Sequence, residues 1–116
     1  MEIEQYRTHD KRKDSRRRLS GYPQLEFSGQ SPIDVKAMDV SCSGLGIVAQ
    51  FNPPPLTSCN VTFVLPFHPN RPATVSAVAV VMHSIYSQEN EGFKVGLLFH
   101  NLEVNTVNLL LNYVRS

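Results

Sequence analysis

Arg12 and Arg16 form the one Arg-xxx-Arg pair of this 116-residue chain, inside the basic run RTHDKRKDSRRR at residues 7–18. Guanidinium carries five donors in a fixed fork, a geometry that suits phosphate oxygens and the O6/N7 edge of guanine. In an extended arm the two groups diverge; in a tight or helical turn they converge on a ligand with several acceptor groups. A second cluster, Asp39-Val40-Ser41-Cys42-Ser43-Gly44, is a DxSxxG within MDVSCSGLGIV. A carboxylate accepts from the N1 and N2 donors of guanine, a hydroxyl donates or accepts, and glycine lets a flat base approach the backbone. Taken alone, these residues also fit an Asx- or Ser-type turn that caps its own backbone.

The net charge of +1 hides how the charge is distributed. Residues 7–18 hold seven Lys or Arg against Asp10 and Asp14, so the positive potential is concentrated ahead of the first apolar-periodic segment. Such a run implies an anionic partner or a solvated tail. The apolar share of 41% and charged share of 18% are those of a globular domain, and the length suits one core rather than two. No apolar run reaches bilayer length, and charged residues stand where a secretory leader would be hydrophobic. The expected location is therefore the cytoplasm, without membrane insertion. Cys42 and Cys59 make neither a disulfide framework nor a CxxC knuckle and read as reduced thiols. His9, His68, His83 and His100 lack the spacing of a zinc site.

The elements that must position the two clusters are mostly strands. YPQLEFSG alternates through Leu25 and Phe27. PIDVKAMDVS alternates through Ile33, Val35 and Ala37, and an unbroken period of two carries Asp39 and Ser41 onto that same side. GLGIVAQF restarts a strand, and Pro53, Pro54 and Pro55 make NPPPLTS a loop. CNVTFVLPF, ATVSAVAVVMHSIYS and FKVGLLFH read as further strands, the last two joined across QENEG. In the tail, Val107, Leu110, Leu111 and Val114 take the i, i+3, i+4, i+7 spacing of an amphipathic helix, with Asn101 or Asn105 as its cap. The fold class is mainly β: a small antiparallel barrel of about six strands with a C-terminal α-helix.

An Arg-xxx-Arg ahead of the first strand, followed by DxSxxG at a strand–strand turn and later by FKVGLLFHNL and a helix, resembles the PilZ domain family. The resemblance covers roughly residues 11–114; residues 1–10 read as a tail and 11–116 as one PilZ-like domain that includes the arm. That family binds the bacterial second messenger cyclic di-GMP. The resemblance implies that Arg12 and Arg16 contact the ligand's phosphates and the Hoogsteen edge of guanine. It likewise implies that Asp39, Ser41 and Gly44 hold a guanine from the barrel side. Lys11 matches a position that contacts ligand and influences stoichiometry. Arg17 and Ser43, adjacent to motif residues, complete the expected ligand set of Lys11, Arg12, Arg16, Arg17, Asp39, Ser41, Ser43 and Gly44.

The mechanism this implies is a ligand-gated switch. A basic arm, mobile without ligand, folds over cyclic di-GMP on a rigid Asp39–Gly44 platform and presents a new surface to an unidentified downstream protein. No cofactor is expected. The alternative is a PilZ-like protein-interaction module that binds no nucleotide, although such members generally lack one or both motifs. Nucleic-acid binding is disfavoured because the phenylalanines fall at core spacing rather than forming a stacking platform. Catalysis is disfavoured because His83 and Ser84, adjacent on a strand, face opposite ways and have no acid partner.

Overall fold

Alternation is cleanest in SCNVTFVLPF, and there the structure follows it residue by residue: Cys59, Val61, Phe63 and Leu65 are buried while Asn60, Thr62 and Val64 face out. The computed structural model describes residues 15–67 and 70–116. Among them the elements are β1 (Arg17–Arg18), β2 (Gln24–Phe27), β3 (Ile33–Asp34), β4 (Lys36–Val40), β5 (Gly44–Ala49), β6 (Ser58–Phe67), β7 (Arg71–Ser87), β8 (Gly92–His100) and a helix, α1 (Val104–Arg115). All pairings are antiparallel, in the order β1-β4-β5-β8-β7-β6-β2-β3. The mainly β class with one terminal helix is as expected.

The two ends of this sheet are tied to each other along the chain. β3 and β4 are separated by Val35 alone. Between the β1·β4 and β2·β3 ladders, the Leu19 N–H donates to the Met38 carbonyl at 3.0 Å, Val35 to Pro23 at 2.9 Å and Ala37 to Gly21 at 3.0 Å. The short pieces β1 and β2 are thus halves of one bent strand, and β3 and β4 halves of its partner. Six chain segments carry the ladder, matching the strand count read from the sequence.

Inside lie Leu25, Val40, Leu45, Ile47, Val61, Leu65, Val81 and Leu110, all at most 2% exposed. Phe63 stacks on Phe99 with centroids 5.9 Å apart, and Phe27 meets Phe51 edge-on. Each large side chain withdrawn from water in this way contributes roughly 1.5–3 kcal/mol. α1 turns inward the stripe expected from hydrophobicity, with Leu110 fully buried and Val107, Leu111 and Val114 partly so, and Tyr113 is buried beside it. The Tyr113 ring packs edge-on against Phe67 at 5.7 Å while its hydroxyl donates to the Arg18 carbonyl at 3.3 Å. The N-cap is Glu103, with no side-chain capping bond, rather than Asn101 or Asn105. Asn101 instead takes a left-handed φ of 53° in the turn after β8.

Cys59 points into the core, where burial pushes its thiol up to about 11. Only about one molecule in a thousand carries the nucleophilic thiolate at pH 8, because the neutral form persists until pH approaches that value. We expect Cys59 to resist iodoacetamide at pH 8 in the folded chain and to react once guanidinium unfolds it. Mass spectrometry of the Cys59 peptide reads both states.

Candidate functional site

Ser41 is the only polar side chain fully withdrawn from solvent among the described residues, at 0% exposure. Its position at the β4–β5 corner is built by the backbone: the Ser41 N–H donates to the Gly44 carbonyl at 2.9 Å. The Ser41 hydroxyl then gathers the orphaned donors of the turn, accepting from the Ser43 N–H at 3.2 Å and the Gly44 N–H at 3.1 Å. Ser43 Oγ lies 3.1 Å from it. Gly44 is buried and its missing side chain is a packing requirement, since a Cβ there would overlap the Leu97 carbonyl oxygen of β8. Removing the hydroxyl as Ser41→Ala strands the buried Gly44 N–H and the part-buried Ser43 N–H and should destabilise the chain by about 2 kcal/mol. Differential scanning fluorimetry should show a Tm lower by roughly 8 °C.

Asp39 does not share a side with Ala37. The ladder between β4 and β5 shifts register between Ala37 and Asp39, so Met38 is an extra residue. Ala37 and Val40 remain buried while Asp39, opposite Gly46, is turned to the outer surface. A bulge of this kind re-aims a side chain that strict alternation would have placed inside. Gly46, outside DxSxxG, is what makes room: a Cβ there would sit 2.5 Å from Asp39 Oδ1 and 3.7 Å from Arg16 Nη2.

The two sequence clusters meet on this outer surface. Arg16 donates through Nε and Nη2 to Asp39 Oδ1, at 3.1 and 2.8 Å, and through Nη1 to Ser41 Oγ at 3.3 Å. Arg16 and Asp39 are 44% and 40% exposed, so their ion pair contributes under about 1 kcal/mol and a competing anion can draw the guanidinium away. Arg17 and Arg18 pair with Val40 and Asp39 as β1, so this end of the arm is docked on the sheet. Arg17 points elsewhere: Nη1 donates to the Tyr113 carbonyl at 2.8 Å and to Ser116 Oγ at 2.6 Å, and its guanidinium lies 4.2 Å from the Tyr113 ring centroid. It thereby caps the C-terminus of α1, where a cation complements the helix dipole. Lys11 and Arg12 lie outside the described residues.

Two hollows flank Asp39. The larger, about 820 Å³, is walled by Arg16, Arg18, Lys36 and Lys94, with Asp39 and Glu89 as its carboxylates. The smaller, about 310 Å³, contains Arg16, Asp39, Ser43 and Gly44 over a floor that includes Gly46. Cations outnumber carboxylates around the first, which favours an anionic occupant. Both volumes fall in the range of small-molecule sites.

The model of the PilZ domain matches residues 10–116. The chain belongs to the PilZ domain family. PilZ domains are a non-catalytic family of cyclic di-GMP receptors. Among solved structures, this PilZ domain is similar to the Bacillus subtilis inhibitor of motility (MotI/DgrA), with a TM-score of 0.78 and 17% identity. The similarity covers 88% of this chain and 48% of that one, so this PilZ domain spans about half the length of that protein. No curated protein sequence matches significantly. Among the described residues, no helix is long and apolar enough to cross a membrane. Gly46 is the residue of this site that the motifs do not name. Its signal was the second glycine of GLG, crowded against the DxSxxG residues at the start of a strand.

Proposed function

We propose that this PilZ domain is a receptor for cyclic di-GMP in the cytoplasm and transmits occupancy of the Arg16–Asp39 corner to a downstream protein. The observation that carries the reading is the bridge from Arg16 to both Asp39 and Ser41, which joins the arm to DxSxxG on an outward-facing, glycine-floored surface. The ligand offers two phosphates and two guanines. Asp39 accepts the N1 and N2 donors of one guanine, and Arg16 exchanges its half-exposed carboxylate partner for a phosphate or the guanine O6/N7 edge. Ser41 and Ser43 hold the corner in shape, and Gly44 lets β8 close beneath it. Arg12 and Lys11 supply further cationic contacts from residues ahead of the docked segment.

The switch differs from an arm that is wholly free before binding. Arg16–Arg18 already lie on the sheet, so these residues are not a part of the arm that ligand must bring down. Arg17 gives the signal a route, since it ties β1 to the end of α1 through the Tyr113 ring and carbonyl. A change at Arg16 is thereby felt one residue away by the helix, which presents exposed Val104 and Asn108 to solvent.

Calorimetric titration of the full chain with cyclic di-GMP, GTP and GMP tests the reading. Saturable binding of the cyclic dinucleotide alone, weakening as salt rises, is the expected result. Absence of heat with cyclic di-GMP would transfer the chain to the class of PilZ-like modules that only bind protein partners.

A further inference from the structure

Asp39 has a counterpart across the sheet. β7 carries a second bulge, between Val81 and His83, with Met82 as the extra residue. Its effect repeats that at Met38: Val81 is buried and His83 is turned to the outer surface, opposite Gly96. Gly96 in turn pairs with Gly46, so a single row of the sheet reads Asp39, Gly46, Gly96, His83. Each glycine is overlain by the polar residue beside it. A Cβ on Gly46 would stand 2.5 Å from the Asp39 carboxylate, and a Cβ on Gly96 would stand 2.5 Å from His83 Nε2 and 2.6 Å from Cε1. Both side chains line the same hollow of about 310 Å³.

Each bulge spends an unpaired residue to re-aim one polar side chain over one glycine, as bulges beside functional sites do. Adjacent strands are about 4.8 Å apart, so the backbones of Asp39 and His83 stand about 14 Å apart in this row, and their side chains reach toward each other over the two glycines as facing walls. One wall is a pure acceptor. The other offers an aromatic face and a nitrogen that donates or accepts. That combination fits the edge and face of a planar heterocycle. We infer that His83 is a ligand-contacting residue of this site, forming with Asp39 the two walls of a slot that receives a purine base. The inference rests on the cyclic dinucleotide reading above and adds to it a residue outside both motifs.

The test compares wild type, His83→Ala, Gly96→Ala and the double variant for cyclic di-GMP affinity by calorimetry, with Tm measured on each. His83→Ala should weaken binding roughly tenfold while leaving Tm in place, because the ring is exposed. Gly96→Ala pushes the flexible end of the imidazole off its seat and should weaken binding similarly. The double variant should be no weaker than either single one, the mark of two changes acting through one contact. Wild-type affinity in His83→Ala overturns the inference even if Gly96→Ala fails to fold. Failure of the wild type itself to bind overturns the receptor reading first, and the two failures are thereby told apart.

Discussion

Arg16→Ala is expected to weaken cyclic di-GMP binding about 100-fold, with little change in Tm. The asymmetry arises from where the side chain sits. Its pairing with Asp39 is half exposed and contributes under about 1 kcal/mol to folding. Against a ligand phosphate or a guanine edge, the same guanidinium makes charge-assisted, bidentate bonds, and losing them together costs about 3 kcal/mol. That converts to a factor of roughly 100 in Kd. Lysine at this position keeps the charge but not the fork, so Arg16→Lys should recover only part of the loss. Calorimetry gives the affinities and scanning fluorimetry the stabilities. Equal affinity in Arg16→Ala and wild type would remove Arg16 from the site.

Gly44→Ala should produce the opposite pattern, a damaged fold. The added methyl would overlap the carbonyl oxygen of Leu97, a backbone atom in the first rungs of the β5–β8 ladder. A flexible side chain could swing aside; a strand carbonyl cannot without opening the ladder beside Leu45 and Leu97, both buried. Forcing extra volume into such a contact costs about 3 kcal/mol. For a chain of this length, Tm should fall by roughly 12 °C. Urea denaturation followed by circular dichroism checks the free energy. A Tm within a degree of wild type would show that β5 and β8 are not in this register.

The difference between these two residues of neighbouring motifs marks how far the sequence could be read. The strands announced themselves by alternation, and nothing in β6 departs from it. That Arg16 and the Asp39–Gly44 corner share a site was implied by the resemblance to the PilZ family, but with ligand between them; the direct contact of Arg16 with Asp39 and Ser41, and the pairing of β1 with β4, had no mark in the sequence. What alternation cannot reveal is a place where it breaks. The extra residues Met38 and Met82 look like ordinary members of their strands, yet each reverses the facing of the residues after it. For that reason Asp39 was expected on the side of Ala37, and His83 was weighed only as a metal ligand or a catalytic neighbour of Ser84. Arg17 illustrates a second limit. One more arginine in a basic run has no local mark of its partner, and the helix end it caps lies 96 residues away in sequence. Ser41 shows a third: a hydroxyl in a turn fits ligand binding and self-capping equally well until its burial is known.

The central claim is that the outer surface around Asp39, Gly46 and Gly96 is where this PilZ domain meets cyclic di-GMP. Titration of the isotope-labelled chain, monitored through its backbone amide resonances, tests that most directly. The account predicts saturating shifts concentrated at residues 16–18, 39–46 and 94–98, with GMP and GTP leaving them in place. Unmoved resonances there, or shifts confined to a separate hollow lined by His100 and Thr106, would contradict it.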